Sequence, residues 1–426
     1  MYSLSEPLFF ALPLELREHI YQYVMLGSKG NPQLPRVSHQ LHSESQKFLY
    51  KRPQSFESQA ALQAWIELVG TVNLQYVTSL TFQLQDVNFR SVLSSSVAQL
   101  PPKVQGPTLY KSEREAILSA LSGFRNLRCL TIHRPPLLQS YLYRSLYQAC
   151  LDTLGHYFPK LQDISFYSDE QSLTFLEHLS NLRSIRFTGF SVTSPSETLK
   201  VLNSLSSLTT LELIDSSPTL MLGGHGSSNS IGRRQSFDGH TLRCVRPLSK
   251  LCIRETISQY RKGPIFISPS FLSALDAHSK TLRILRITTD YTPTGETRVV
   301  LQRFLSSSNV RELELDWTEP SSTALISNLP RSISSLTIST DSLSGSAELL
   351  REIQESKEQL RILTNLQLLL YPTNVDVNTE AKSFPDFESH SAGIDAAGPA
   401  IAALEALGVT VDIQNRKRTA GLMDKQ

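Results

Sequence analysis

Several things are missing from this sequence, and each absence removes a class of function. Its four cysteines, Cys129, Cys150, Cys244 and Cys252, form no CxxC pair. That argues against a zinc knuckle or a disulfide framework and for buried thiols in a reducing compartment. Neither charge sign dominates: 41 Lys and Arg face 39 Asp and Glu, a net charge of +2. A phosphate-neutralising protein needs a basic excess, so nucleic acid ranks below protein as a partner. No apolar run reaches the roughly 18 residues of a membrane span. The start, MYSLSEPLFFALPLEL, has no basic leader, and Pro7, Pro13 and Glu15 interrupt its apolar stretch, so it does not read as a secretory signal. The expectation is a soluble intracellular protein, cytoplasmic or nuclear. GxSxG, GxxxxGK[ST] and HExxH are all absent, so no catalytic residue, cofactor or metal is expected and the chain does not read as an enzyme. His39 and His42, near Glu44, read as a solvated helix face, and Gly223-Gly224-His225-Gly226 as loop.

What is present is repetition. Hydrophobic residues make up 40 % of the 426 positions, enough for a packed core. A chain this long either splits into domains or grows by repeats. One pattern recurs: apolar, two variable, apolar, one variable, apolar. It runs Val77-Leu80-Phe82, Leu127-Leu130-Ile132, Leu161-Ile164-Phe166, Leu182-Ile185-Phe187 and Leu208-Leu211-Leu213. Leu248-Leu251-Ile253, Leu282-Leu285-Ile287, Val310-Leu313-Leu315, Ile333-Leu336-Ile338 and Leu363-Leu366-Leu368 follow. The last two positions of each are two apart, on one face of a short strand. Such a strand needs a like neighbour to bury that face.

Helical patterns separate the strands. Ser112 and Glu115 read as a capping box, and Leu138, Leu142, Leu146, Cys150, Leu154 and Tyr157 as one helical stripe. Helix, then Asn-Leu-Arg or a relative, then strand is the repeating order. The pattern resembles the leucine-rich-repeat family. The resemblance implies an α/β fold, an irregular solenoid with parallel strands inside and helices outside. A doubly wound α/β sheet is the alternative.

Residues 7–56 break the pattern. Leu12, Leu16, Ile20, Tyr23 and Val24 stripe one helix, and Val37, Leu41, Phe48 and Leu49 a second. The text LPLELREHIYQYV from Leu12 resembles the opening of an F-box, and RVSHQLHSE from Arg36 its third-helix segment. By that resemblance Leu12, Pro13, Leu16, Ile20 and Val24 would dock a Skp-type adaptor. The alternative is that these helices only cap the solenoid. The expected organisation is therefore an F-box-like all-α module at 7–56 and a repeat solenoid at 57–370 with a flexible insert at 216–239. An irregular linker at 371–398, a terminal helix–strand unit at 399–413 and a tail at 414–426 complete it.

Alternation along the strands assigns side chains to the exposed concave face. Arg186, Glu212, Lys250, Arg254 and Arg286 fall there, then Glu312, Glu314 and Asp316, so the face should be basic in the middle and acidic one repeat later. In the insert, Arg233-Arg234-Gln235-Ser236 resembles the substrate motif of arginine-directed kinases, which makes Ser236 a candidate phosphosite. The functional expectation is a substrate receptor of a Skp–cullin–F-box-type ubiquitin ligase that holds a protein target on its repeats. The alternative is a scaffold without ligase function.

Overall fold

The computed structural model describes residues 9–26, 33–86, 102–135, 141–169, 171–215, 234–256, 265–317, 323–340, 343–370 and 398–415. The expected linker 371–398 and the tail lie almost wholly outside these residues, as do 216–233 of the insert. Two compact units are present: Met1–Ile185 with Ser204–Ser207, and Arg186–Asn203 with Leu208–Gln426.

The first unit opens with helices α1 (Leu14–Leu26) and α2 (His39–Lys51), then strand β1 (Gln54–Phe56) and helix α3 (Gln59–Val69). Ser38 caps α2 by accepting from the Leu41 amide, and Ser58 caps α3 through Ala61, the contact that makes serine a good helix starter. β2 (Ser79–Gln83), β3 (Cys129–His133) and β4 (Asp163–Phe166) continue the sheet. β1, β2, β3 and β4 pair parallel in chain order. The expected boundary at residue 56 is therefore too late, because Gln54–Phe56 already belongs to the sheet. Three residues with a single aromatic carry no periodic signal. The helix over Pro102–Ser122 also corrects an expectation: Ser112 and Glu115 lie in its interior and cap nothing.

In the second unit β7 (Thr210–Asp215), β9 (Lys250–Glu255), β10 (Ile284–Thr289) and β11 (Glu312–Asp316) pair parallel in order. β12 (Ser335–Thr340), β13 (Asn365–Leu370) and β14 (Thr410–Asn415) extend the series. Neither unit's order reverses, as stacked repeats require and a doubly wound sheet does not. The last pair comes close to expectation, with helix at 398–406 before β14. The unit boundary passes through β5 (Ser184–Phe187). β6 (Phe190–Ser191) and β8 (Arg234–Gln235) form a separate antiparallel pair.

Every apolar position of the recurring motif is buried, none more than 5 % exposed. Register turns these positions into rows: Leu211, Leu251, Leu285, Leu313, Leu336 and Leu366 stand side by side on successive strands. The Asn before several strands adds a polar stitch. Asn126 Nδ2 donates to the Gln75 carbonyl at 2.7 Å, Asn181 to Pro159 at 2.8 Å and Asn309 to Lys280 at 3.3 Å. Each amide thereby satisfies a carbonyl of the preceding turn.

After β9 the chain is pinned where the described residues resume at 265. Glu255 is fully buried. Its carboxylate accepts from the amides of Ile265, Phe266 and Ile267 and from the Tyr291 hydroxyl, at 2.6 to 3.2 Å. This seats Phe266 in a ring cluster with Phe190 and Phe271, which Phe237 joins through Phe271. Gly189, at φ +79°, lies under the Phe266 ring; a Cβ there would meet Phe266 Cζ at 2.3 Å.

Glu255→Ala should leave three amides and a phenol without their acceptor, at roughly 1–3 kcal/mol for each group left unsatisfied. We expect a fall in melting temperature and faster hydrogen exchange at 265–267, with Glu255→Gln intermediate. Unchanged exchange at those amides would refute the clamp.

Candidate functional site

Helix α1 carries two stripes, and the structure uses one of them internally. Tyr21 and Met25 are buried with Leu41 and Phe48 of α2, flanked by Phe9, Phe10, Leu34 and Leu49. Arg17, one turn before Tyr21, is held there by charge rather than greasiness. Its Nε and terminal nitrogen grip both Glu44 oxygens at 2.8 and 2.7 Å, the bidentate arrangement favoured for this pair. The Tyr21 hydroxyl donates to Glu44 at 2.7 Å and Gln40 to it at 3.0 Å. Lys47 and Glu18 form a second ion pair between the helices. The Arg17 hydrogen bond is the main cause that lowers the Glu44 carboxyl to about 2. Burial first, then Glu44, pushes the Tyr21 phenol up to about 12.

The apolar stripe read from the sequence is the other one. Leu16, Ile20 and Tyr23 are 51 %, 38 % and 84 % exposed, with Leu14 and Leu26 beside them at 44 % and 38 %. Pro13 is exposed, and Leu12 and Val24 are half-buried. The helix thus presents a row of large apolar side chains to solvent over more than two turns. Such a row on a charged protein marks a contact site more often than scattered exposed residues do. Leu26 continues this face beyond the residues expected, and Tyr23 joins those named for docking.

The second surface is the exposed face of the second unit's sheet. Arg186, Arg254 and Arg286 are exposed and Glu212, Lys250, Glu312 and Glu314 half-exposed, as alternation predicts. Asp316 departs from expectation: it is 5 % exposed. Just beyond it, the Ser339 hydroxyl accepts from the Trp317 amide and donates to the Trp317 carbonyl. Ser339 and Leu369, in the corresponding positions of β12 and β13, are buried too.

In register, the cations Lys250, Arg254 and Arg286 of β9 and β10 are followed by Glu312 and Glu314 of β11, with Glu212 of β7 on the other side. Lys250 Nζ lies 2.9 Å and Arg186 Nε 4.0 Å from Glu212; Arg286 lies 3.4 Å from Glu314 and 3.9 Å from Glu312. Ion pairs thus link neighbouring strands of the ladder, while Arg254 joins none of these pairs. Exposed pairs of this kind contribute only about 0–1 kcal/mol each. Their ordering of charge matters more for a partner than for the fold. Sequence reasoning missed Cys252, paired in register between Glu212 and Arg286, and Asp412, which accepts from Gln367. Burial, then Glu212, raises the Cys252 thiol to about 11, so it sits on this face as a protonated, unreactive group. The first unit's corresponding row, Ser55, Thr81, Thr131 and Ser165, carries hydroxyls instead of charge.

Ser236 is fully buried. Its amide and hydroxyl both donate to the Gly189 carbonyl, at 3.1 and 3.3 Å. Residues 234–239 of the expected flexible insert are thus ordered: β8, the buried Phe237 and the Asp238 cap fix them. As placed, Ser236 offers no hydroxyl to a kinase. Arg233 and the glycine-rich run at 223–226 lie outside the described residues. His39 and His42 are exposed, and Glu44 is occupied by Arg17 and Tyr21. Among the described residues no three His, Cys, Asp or Glu side chains are grouped to hold a metal, and no helix is long and apolar enough to cross a membrane. No protein-family model matches the chain, and no curated protein matches it in sequence.

The Glu44 cluster gives the helical pair a defined pH window. Glu44 is lowered on folding, so its contribution is present above the ordinary carboxylate range near 4.3 and is lost as pH falls through about 2. Tyr21 is raised, so its contribution is present below about 10 and is lost as pH rises through about 12. Hydrogen exchange of α1 and α2 should therefore accelerate below pH 4 and above pH 10. Glu44→Gln should flatten the acid limb, and an acid limb unchanged in that variant would refute the assignment.

Proposed function

We propose that this chain is a protein-interaction adaptor, a substrate receptor of a Skp–cullin–F-box-type ubiquitin ligase. Its F-box-like helices dock a Skp-type adaptor, and its leucine-rich-repeat-like sheet face holds a protein target. One observation carries this reading: the stripe of α1 that resembles the F-box docking face is turned to solvent, while a different stripe builds the module's core. Helices that served only as a cap would spend their largest apolar side chains on the molecule they cap. Leu16, Ile20 and Tyr23 are not spent in that way.

The receptor on this reading forms and breaks no bond. It gathers target and transferring enzyme on one assembly and raises the effective concentration of the target's lysines. The charged ladder from Arg186 to Glu314 selects the target by charge order, rejecting partners that place like charge opposite like. The scaffold alternative uses the same ladder without the adaptor.

The test is a pull-down with a purified Skp-type adaptor. Wild type should be retained, and Leu16→Asp with Ile20→Asp should not be, with helical content unchanged because both positions are exposed. No retention of wild type, or equal retention of the variant, would leave the scaffold reading in place. The ladder gives a separate prediction. Arg286→Glu should change stability by no more than about 1 kcal/mol while weakening capture of the target through the repulsion it sets up with Glu312 and Glu314.

A further inference from the structure

The last strand of the second unit leaves one side open. β14 pairs with β13 alone. The Thr410 amide donates to the Thr364 carbonyl at 2.7 Å, so the backbone groups of Thr410, Asp412 and Gln414 point to β13. Those of the alternate residues point the other way, and the amides and carbonyls of Val411 and Ile413 face outward. They meet no partner among the described residues. The core row ends here as well. Leu366 and Leu368 are 1 % and 0 % exposed, whereas Val411 and Ile413, in register with them, are half-exposed.

An open edge of this kind is a template for another strand, and proteins ordinarily guard it with proline, lysine or a bulge. The sequence of β14, TVDIQN, holds neither proline nor a basic residue. Its register with β13 runs unbroken from Thr410 to Asn415, so it carries no bulge.

We propose that β14 pairs antiparallel with β14 of a second copy of this chain, about a two-fold axis through Ile413. A two-fold contact sets an edge against itself, so the strand must be complementary to its own reverse. Residues directly opposite share a face, which leaves Asp412 or Ile413 as the axis near the middle of the strand. An axis at Asp412 sets two carboxylates opposite each other, a destabilising pair. An axis at Ile413 sets Ile413 against its copy, and their outward amides and carbonyls exchange both hydrogen bonds. It also sets Asp412 opposite Gln414, twice across the axis. Within one chain Gln414 and Gln367 both donate to Asp412 Oδ2, at 2.9 and 3.1 Å, and Oδ1 accepts from no described residue. The Gln414 amide of the second copy suits that oxygen.

Pairing along one strand is small beside the roughly 1,200–2,000 Å² of a stable complex, so the dimer is weak and concentration-dependent. It involves neither α1 nor the ladder from Arg186 to Glu314, and it stands whether or not the ligase reading does.

The experiment is sedimentation velocity on the full chain at neutral pH, from micromolar to millimolar concentration. Wild type, Gln414→Lys, Gln414→Glu and Ile413→Pro are compared, with melting temperature as the check on folding. Wild type should pass from monomer to dimer as concentration rises. Gln414→Lys sets an ammonium opposite each Asp412 and should lower the dissociation constant roughly tenfold, and Gln414→Glu should raise it as much, because the pair occurs twice. Ile413→Pro removes an amide that only the second copy uses and should abolish the dimer. Should that variant melt early, the two Gln414 variants decide. A chain that stays monomeric throughout, or a dimer whose affinity ignores the sign of the charge at 414, would overturn the proposal.

Discussion

A short strand with one apolar face can hide that face only beside another strand of the same kind, and the rest of this structure follows from that constraint. The rows through Leu251, Leu285, Leu313 and Leu336, and through Ile253, Ile287, Leu315 and Ile338, are continuous across strands because register places like beside like. A slip of one residue would turn every one of these side chains to the opposite face. The same alternation leaves the intervening positions outward and unconstrained by packing. The charged ladder of the second unit and the hydroxyl row of the first are thus sequences written on a face that the fold supplies regardless. Packing dictates that a residue stands at position 286, and leaves open that it is arginine.

The strands were legible because their signal is redundant. Each motif is weak alone, yet its spacing and its repetition point the same way, with an Asn before three of the ten, and all the motif positions are buried. Short or irregular pieces were not legible. Gln54–Phe56 is three residues long and is a strand only because β2 pairs with it. Ser236 sits in a stretch whose composition reads as loop, and its burial depends on Gly189, 47 positions away in the chain. Asp316 follows the alternation rule in sequence and is buried all the same, as is Ser339 in the corresponding position of β12. In the first two cases the deciding contact is long-range, whereas a pattern reading samples only neighbours.

Buried charge is the other thing a hydrophobic pattern cannot see. Glu255 ends a strand in step with the buried Leu251 and Ile253, and its carboxylate is the acceptor around which Ile265, Phe266 and Ile267 are arranged. A carboxylate taking three backbone amides is well solvated by protein, which is how a charge is tolerated away from water. The same device holds α1 on α2. There Tyr21 and Met25 are buried, and the part-buried Arg17, one turn earlier, grips Glu44.

The leucine and isoleucine stripe of α1 is thus not the one the helical pair buries. Leucine and isoleucine at four-residue spacing are what a core normally offers, and burying one such side chain contributes about 1.5–3 kcal/mol. A helix free to turn would put Leu16 and Ile20 inward. It is held the other way because that rotation would pull Tyr21 and Met25 out of their contact with Leu41 and Phe48 and strand the Arg17–Glu44–Tyr21 hydrogen bonds. The orientation of α1 is therefore set by an aromatic and methionine stripe together with polar bonds, and its leucine–isoleucine stripe is left outside. The consequence is an apolar row kept in solvent by the fold itself, and that row is the feature a partner with a complementary apolar groove can use.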